Sequence, residues 1–165
     1  MATLTVPDIG GLMDKPGPDD RSATEADLCS APMSDIDPAW YELRDALFDG
    51  AYERSSALVA ARPEMIHLMN GVGETVLHYL AVENAQAAVE WLHSRGADIN
   101  TKNSFSEPVL FEVAMLGYKE LFSWLVAAGA DPLIEGFDGQ DLVDYLLEFD
   151  KDEMVEWVRS QVDGL

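Results

Sequence analysis

The side chains that could carry out chemistry in this sequence are three histidines and a single cysteine. His67, His78 and His93 have no cysteine or second histidine at the spacing that metal sites use. No Ser-His-Asp or Cys-His set with a shared orientation can be nominated. Cys29 cannot form an internal disulfide, and its position favours an incidental thiol over a nucleophile. The sequence therefore predicts no catalytic residue, no metal ligand and no cofactor.

Two short motifs resemble ligand loops but lack the residues that would complete them. Gly71-Val-Gly73 could be mistaken for a phosphate cradle, yet no Lys-Ser/Thr pair follows it. The run 150–153 suggests a calcium loop, but Met154 and Val155 stand where an acid and a glycine are required. Gly73 instead suits a tight hairpin turn, and neither motif predicts a ligand site.

The charge of the chain narrows the classes of partner. The 165 residues carry 31 acidic and 10 basic side chains, a net charge of −21. Since affinity for phosphates depends on Lys and Arg, direct binding to nucleic acid or to an anionic membrane is not expected. A cationic partner is expected, because this field would steer it. No apolar run is long enough to span a membrane and no signal peptide is evident, so we expect a cytoplasmic protein.

Residues 1–38 differ in composition from the rest of the chain. They contain five prolines, eight acids against two bases, and no aromatic residue. Such a segment has little apolar surface to offset the entropy lost on ordering. It is predicted to be a disordered tail or, alternatively, a docking arm anchored through Ile9, Leu12 and Met13.

From Trp40 onward the sequence repeats itself at a constant interval, equal to the sequence separation of Trp91 and Trp124, which we call the repeat period. Trp91, Trp124 and Trp157 are evenly spaced by this period, and Gly96-Ala-Asp98 recurs one period later as Gly129-Ala-Asp131. Each unit predicts two short helices followed by a turn. The predicted helices include 43–49, 54–61, 76–83, 86–95, 141–147 and 151–161, with Pro108, Gly117 and Gly129 bounding a further pair. Predicted caps are Thr75 and Asp141 at helix starts and Asn84 at a helix end.

These units resemble the ankyrin repeat. Gly73-Glu-Thr-Val-Leu-His78 is close to the opening signature of that family, and Gly96-Ala-Asp-Ile-Asn100 matches its closing segment. The copy at Glu107–Phe111 keeps only the proline and leucine. The resemblance covers residues 39–163. It implies that residues 39–165 form one domain, an all-α ankyrin-type solenoid of about four helix-turn-helix repeats with short hairpin-like turns.

The resemblance also implies roles for particular residues. The three periodic tryptophans would fill a buried core between repeats, and His78 beside Thr75 would take a structural hydrogen-bonding position. The concave surface would bind a protein partner through residues of the turn tips and first helices. These are Tyr79, Glu83, Phe105, Glu107, Glu112, Met115, Phe137, Asp138, Asp141, Tyr145 and Glu148.

The last two repeats are unusually acidic. Residues 131–156 contain ten acids and one base, Lys151. The leading hypothesis is a non-enzymatic module that binds a basic protein, as a dedicated inhibitor such as an immunity or antitoxin protein. The alternatives are an acidic nucleic-acid mimic that blocks a DNA-binding protein, and a scaffold or adaptor whose acidity serves solubility only. The oligomeric state is not predicted, and a monomer is assumed.

Overall fold

The computed structural model describes residues 36–162, which form eight α-helices in four consecutive pairs. The pairs are α1 (Pro38–Phe48) with α2 (Tyr52–Ala61), α3 (Val76–Val82) with α4 (Gln86–His93), α5 (Val109–Met115) with α6 (Lys119–Ala127), and α7 (Leu142–Glu148) with α8 (Asp152–Gln161). Short 3₁₀ turns at Pro63–His67 and Phe137–Gly139 follow α2 and precede α7. Among the described residues, no helix has the length and apolar character that crossing a bilayer requires. The all-α prediction of four helix pairs is confirmed.

The helix starts follow the capping residues that the sequence predicts. The Thr75 hydroxyl accepts a 3.2 Å hydrogen bond from the His78 backbone nitrogen at the start of α3. The Asp141 carboxylate accepts one of 2.8 Å from the Asp144 nitrogen in α7. Each cap satisfies a backbone donor that has no partner within its helix. Pro108 immediately precedes α5, where its missing N–H costs nothing.

The repeat period also appears in the backbone conformation at helix ends. Asn84, Gly117 and Asp150 follow the first helix of their repeats with φ values of 55°, 76° and 55°. This left-handed conformation turns the chain back so that the second helix can pack against the first. The predicted helix ends at Asn84 and Gly117 are confirmed.

Two extended loops precede α3 and α5, and each closes with an antiparallel bridge. Finger 1 (69–75) pairs Met69 with Thr75, and finger 2 (102–108) pairs Lys102 with Pro108. Asn103 organises finger 2, since its side-chain oxygen accepts hydrogen bonds of 2.9 and 3.1 Å from the backbone nitrogens of Phe105 and Glu107. Asn70, one repeat period earlier, does the same in finger 1. The fingers are the hairpin-like turns that the resemblance implies.

The hydrophobic core runs continuously through the stack of repeats. The first helices pack on one another in the order α1, α3, α5 and α7, and each second helix packs against its own first helix. Fully buried apolar side chains, such as Leu77, Leu92, Phe111, Phe122 and Leu146, line both layers. Burial of this kind supplies the main stabilising free energy of the fold.

The prediction that the periodic tryptophans are buried core residues is wrong. Trp91, Trp124 and Trp157 are only half-buried, whereas the next residue in each helix, Leu92, Leu125 or Val158, is 0 % exposed. Consecutive residues of an α-helix point about 100° apart, so the indoles lie at the edge of the buried face. They cover that edge through aromatic contacts, such as Trp157 on Phe122 at 5.4 Å between ring centroids.

The described residues include three positions, 36–38, before the predicted domain boundary at residue 39. Ile36 packs against the core, and Asp37 caps α1 by accepting a 3.0 Å hydrogen bond from the Ala39 nitrogen. Arg62 donates to Asp37 at 2.6 Å and so fastens this start to the end of α2. The predicted tail up to residue 35 lies outside the described residues.

Candidate partner-binding groove

A groove with a volume of about 420 Å³ lies between finger 2 and the last repeat. We call it the C-terminal groove. Finger 2 contributes one wall, and the turn before α7, α7 itself and the residue after it contribute the other. Its lining residues are Ser104, Phe105, Ser106, Glu107, Phe137, Gln140, Tyr145, Glu148 and Phe149.

Aromatic rings dominate the apolar part of the C-terminal groove. Phe105 and Phe137 are 61 % and 70 % exposed, which is unusual for side chains of this size. Tyr145 is buried and forms the floor, with its ring centroid 5.3 Å from that of Phe111 and 5.1 Å from that of Phe149. The groove therefore offers a rigid aromatic floor and two exposed rings that a partner could cover.

Two carboxylates stand among these rings. Glu107 accepts a 2.7 Å hydrogen bond from the Asn103 amide, and Glu148 accepts one of 2.9 Å from the Gln140 amide. Both donors are neutral, and no Lys or Arg is found among the described residues lining the groove. The amides orient the carboxylates without neutralising them, so the negative charge remains available to a ligand.

The ionisation of Tyr145 reflects this environment. Burial raises the pKa of its hydroxyl, and the carboxylates of Glu107, Glu112 and Glu148 raise it further. Both causes disfavour the phenolate, because it would be poorly solvated and would face like charges. The floor of the groove is thus a neutral phenol within a negative potential.

The acids of residues 131–156 extend this potential beyond the groove. Within residues 36–162, no salt bridge involves any of them. Asp138 lies exposed at the turn beside Phe137, and Asp144 is exposed on α7. The acids of residues 131–156 are therefore left without an ion-pair partner among the described residues.

The structure divides the predicted partner-binding residues into several places. Phe105, Glu107, Phe137, Tyr145 and Glu148 line the C-terminal groove together, and Asp138 adjoins it.

Two other predicted residues lie elsewhere on the surface. Glu83 is exposed at the end of α3. Met115 lines a separate cavity of about 480 Å³ with Lys119 and Asp152. Neither residue lines the C-terminal groove.

The remaining predicted residues have structural roles. Tyr79 is half-buried against Trp40, with ring centroids 5.5 Å apart, and Asp141 caps α7. Glu112 and Tyr145 are less exposed than the prediction of surface positions implies: the Glu112 side chain is 12 % exposed, and Tyr145, at the floor of the groove, is 5 % exposed. Both point toward the neighbouring repeat, a direction that helix periodicity alone does not fix.

Glu74, His78 and Glu112 form a cluster whose oxygen and nitrogen ligand atoms lie within 4.8 Å of one another, close enough to hold a metal ion. His78 Nε2 lies 3.2 Å from Glu112 Oε1, and the ring is fully buried. Amides of Asn70 and Asn103 donate to Glu74 and Glu112 at 2.7 and 2.9 Å. These contacts join finger 1, α3, finger 2 and α5, so the arrangement links neighbouring repeats. The sequence did not indicate it, because Glu112 lies in a different repeat from Glu74 and His78.

Sequence reasoning also missed four residues that line the groove: Ser104, Ser106, Gln140 and Phe149. Gln140 follows the turn before α7 and holds Glu148 in place. Phe149 lies four residues after Tyr145, a spacing that puts two side chains on one helical face. That spacing was the available signal for Phe149, whereas nothing in the sequence distinguished Gln140.

The fold and the groove define a class of protein: a solenoid of helix pairs with a recessed surface between its fingers and first helices. A family model described as ankyrin repeats (many copies) matches residues 77–126, which span α3 to α6 and finger 2. Residues 77–126 therefore match the ankyrin-repeat family, which supports the resemblance of the predicted repeats. Ankyrin repeats form protein–protein interaction modules, which are generally not enzymes.

Proposed function

We propose that this protein binds a basic protein through the C-terminal groove and the acidic surface around it. This contact blocks the activity of the partner, so the protein acts as a dedicated inhibitor such as an immunity or antitoxin protein. The observation that carries the proposal is the pairing of exposed Phe105 and Phe137 with the carboxylates of Glu107 and Glu148, in a groove that no Lys or Arg of residues 36–162 lines.

The two kinds of side chain would contribute to binding in different ways. Exposed aromatic rings that become buried in a complex hold most of the binding free energy and slow dissociation. Exposed carboxylates at the rim chiefly accelerate association, since they attract an oppositely charged partner over distance. A binder that must capture its target quickly and hold it uses both.

The test begins with identification of the partner. Affinity purification of the full chain from its native host, at low and high salt, is followed by mass spectrometry. A basic protein whose toxic or enzymatic activity falls on complex formation supports the proposal. A DNA-binding protein that DNA displaces from the complex would favour the nucleic-acid mimic instead.

Binding kinetics against the purified partner then test the surface. Reversal of Asp138, Asp144 and Glu148 to Lys leaves the Asp141 cap intact and should slow association strongly at low salt. Its effect should shrink at high salt, because the screening length falls from about 10 Å at 0.1 M to about 3 Å at 1 M. The matched control reverses Glu42, Glu53 and Glu120, which are exposed acids outside the groove.

Both triple variants change the net charge by the same amount. A difference between their association rates therefore shows that the position of the reversed charges matters. If the groove reversal leaves the low-salt association rate unchanged, the acidic surface serves solubility and the scaffold hypothesis takes its place. If both reversals slow association equally, the partner responds to net charge and the groove is not its site.

A further inference from the structure

The C-terminal groove has the chemistry of a pocket for a planar cation. Aromatic faces attract cations, and a carboxylate beside them adds a charged hydrogen bond. Phe105, Phe137 and Phe149 supply rings, while Glu107 and Glu148 supply one carboxylate from each wall. The described residues of the groove therefore supply every element of such a pocket except the cation.

The same protein uses this combination internally at its other end. The guanidinium carbon of Arg44 lies 5.4, 5.0 and 5.4 Å from the ring centroids of Trp40, Tyr41 and Tyr79. Its Nε donates a 2.8 Å hydrogen bond to Asp45. Arg44 thus shows how three rings and one carboxylate receive an arginine, with the cation supplied by the chain itself.

We propose that the C-terminal groove is an arginine pocket that receives an arginine side chain of the partner; this rests on the proposed function. The guanidinium stacks on the exposed rings, and its fork of N–H groups donates to Glu107 and Glu148. Arginine is selected over lysine because a planar guanidinium can stack and donate at once to two carboxylates, whereas an ammonium is a compact, strongly hydrated charge.

The size of the groove fits a side chain rather than a folded element. Its volume of about 420 Å³ is near the lower end of the range for ligand pockets, roughly 300–1,000 Å³. The neutral amides of Asn103 and Gln140 hold the two carboxylates in place before binding. Less side-chain entropy is then lost when the guanidinium enters.

Three synthetic pentapeptides test this pocket. Each has blocked ends and Gly and Ser as flanking residues, and the central residue is arginine, lysine or citrulline. Each is titrated into the full chain, labelled with ¹⁵N, and amide shifts are followed by NMR. The arginine peptide should shift the signals of Phe105, Phe137 and Phe149 with a millimolar dissociation constant. The lysine peptide should bind there about three- to tenfold more weakly. Citrulline, which keeps the shape but not the charge, should not bind.

Paired variants separate the pocket from general acidity. Phe137→Ala and Glu148→Gln should each weaken arginine-peptide binding about fivefold or more. Phe48→Ala, at a ring 59 % exposed on α1, and Glu156→Gln, at an exposed acid on α8, should have no effect. Equal shifts with the arginine and lysine peptides, shifts spread over the acidic surface, or no groove shift at about 20 mM peptide would each overturn the proposal.

Failure of the arginine pocket can be distinguished from failure of the proposed function. If the arginine peptide fails while the Asp138, Asp144 and Glu148 reversal still slows partner association, the partner uses the surface without an arginine pocket. If the peptide binds in the groove while partner association ignores that reversal, the pocket exists but does not serve the proposed function.

Discussion

The backbone nitrogen of Ser104 donates a 2.9 Å hydrogen bond to the carbonyl oxygen of Val72, which joins the two fingers edge to edge. Gly73 lies at the centre of this contact with φ +80°, and a β-carbon added to it would approach the Ser104 backbone nitrogen to 2.7 Å. The neighbouring finger therefore requires glycine there as strictly as the turn itself does.

Replacement of Gly73 by Ala should destabilise the protein by more than the roughly 1–2 kcal/mol that a left-handed conformation costs a residue with a side chain. The excess arises because a backbone atom of Ser104 cannot move away without breaking the contact between fingers. Gly117→Ala is the control, since Gly117 has φ +76° and no atom of residues 36–162 lies within 4 Å of an added β-carbon. Urea unfolding followed by circular dichroism measures both; equal losses would show that the fingers adjust freely.

Ser106→Gly should stabilise the protein by about 0.5–1 kcal/mol, because Ser106 adopts a left-handed φ of 62°. Ser106 stands one repeat period after Gly73 and one before Gly139, both of which are glycines with positive φ. Urea unfolding gives the measurement. A loss of stability would mean that the Ser106 side chain makes up for its backbone strain.

Leu125→Ala and Trp124→Ala should differ in cost despite being neighbours on α6. Leu125 is fully buried, so its truncation should cost about 2–5 kcal/mol. Trp124 is half-buried at the edge of the core, so its truncation should cost only about 1–2 kcal/mol. Urea unfolding of both variants checks this order. A larger loss of unfolding free energy for Trp124→Ala than for Leu125→Ala would show that the tryptophans are core residues.

Glu112→Ala should destabilise the protein by about 1–3 kcal/mol, because it leaves buried polar groups of His78 and Asn103 without that carboxylate. Glu83→Ala removes an exposed carboxylate at the end of α3 and should change stability by less than about 0.5 kcal/mol. Thermal unfolding distinguishes the two. A neutral Glu112→Ala variant would show that water satisfies these groups.

Asp37→Asn should lower stability at neutral pH and have less effect in acid. The Arg62 guanidinium and the Ala39 backbone N–H hold the pKa of Asp37 below its usual value. A carboxyl whose pKa is lowered on folding contributes stability that is present above its unfolded pKa, about 3.9, and lost as the pH falls through its folded pKa. Asn still caps α1, so the variant isolates the charge. The measurement is the melting temperature of the variant and of the unmodified protein, at pH 7 and in acid. A difference between the two proteins that does not depend on pH would contradict this account.

Local signals in the sequence were sufficient to predict the elements. The regular recurrence of the tryptophans, the caps at Thr75 and Asp141, and the turns at Asn84 and Gly117 can all be read from the chain without knowledge of its packing. Capping and left-handed turns are short-range effects, so the sequence displays them directly. Asn70 and Asn103, which organise the fingers, share the same spacing and could have been found in the same way.

The sequence by itself determined that the chain is a stack of helix pairs with a strongly acidic C-terminal part. Only the tertiary structure decided that the periodic tryptophans lie at the edge of the core, that Glu112 turns inward to His78, and that Phe105, Glu107 and Phe149 meet in one groove. The physical reason is that the rotation of each helix about its axis is set by packing against the next repeat. A difference of one residue in that rotation, about 100°, moves a side chain from the surface to the interior.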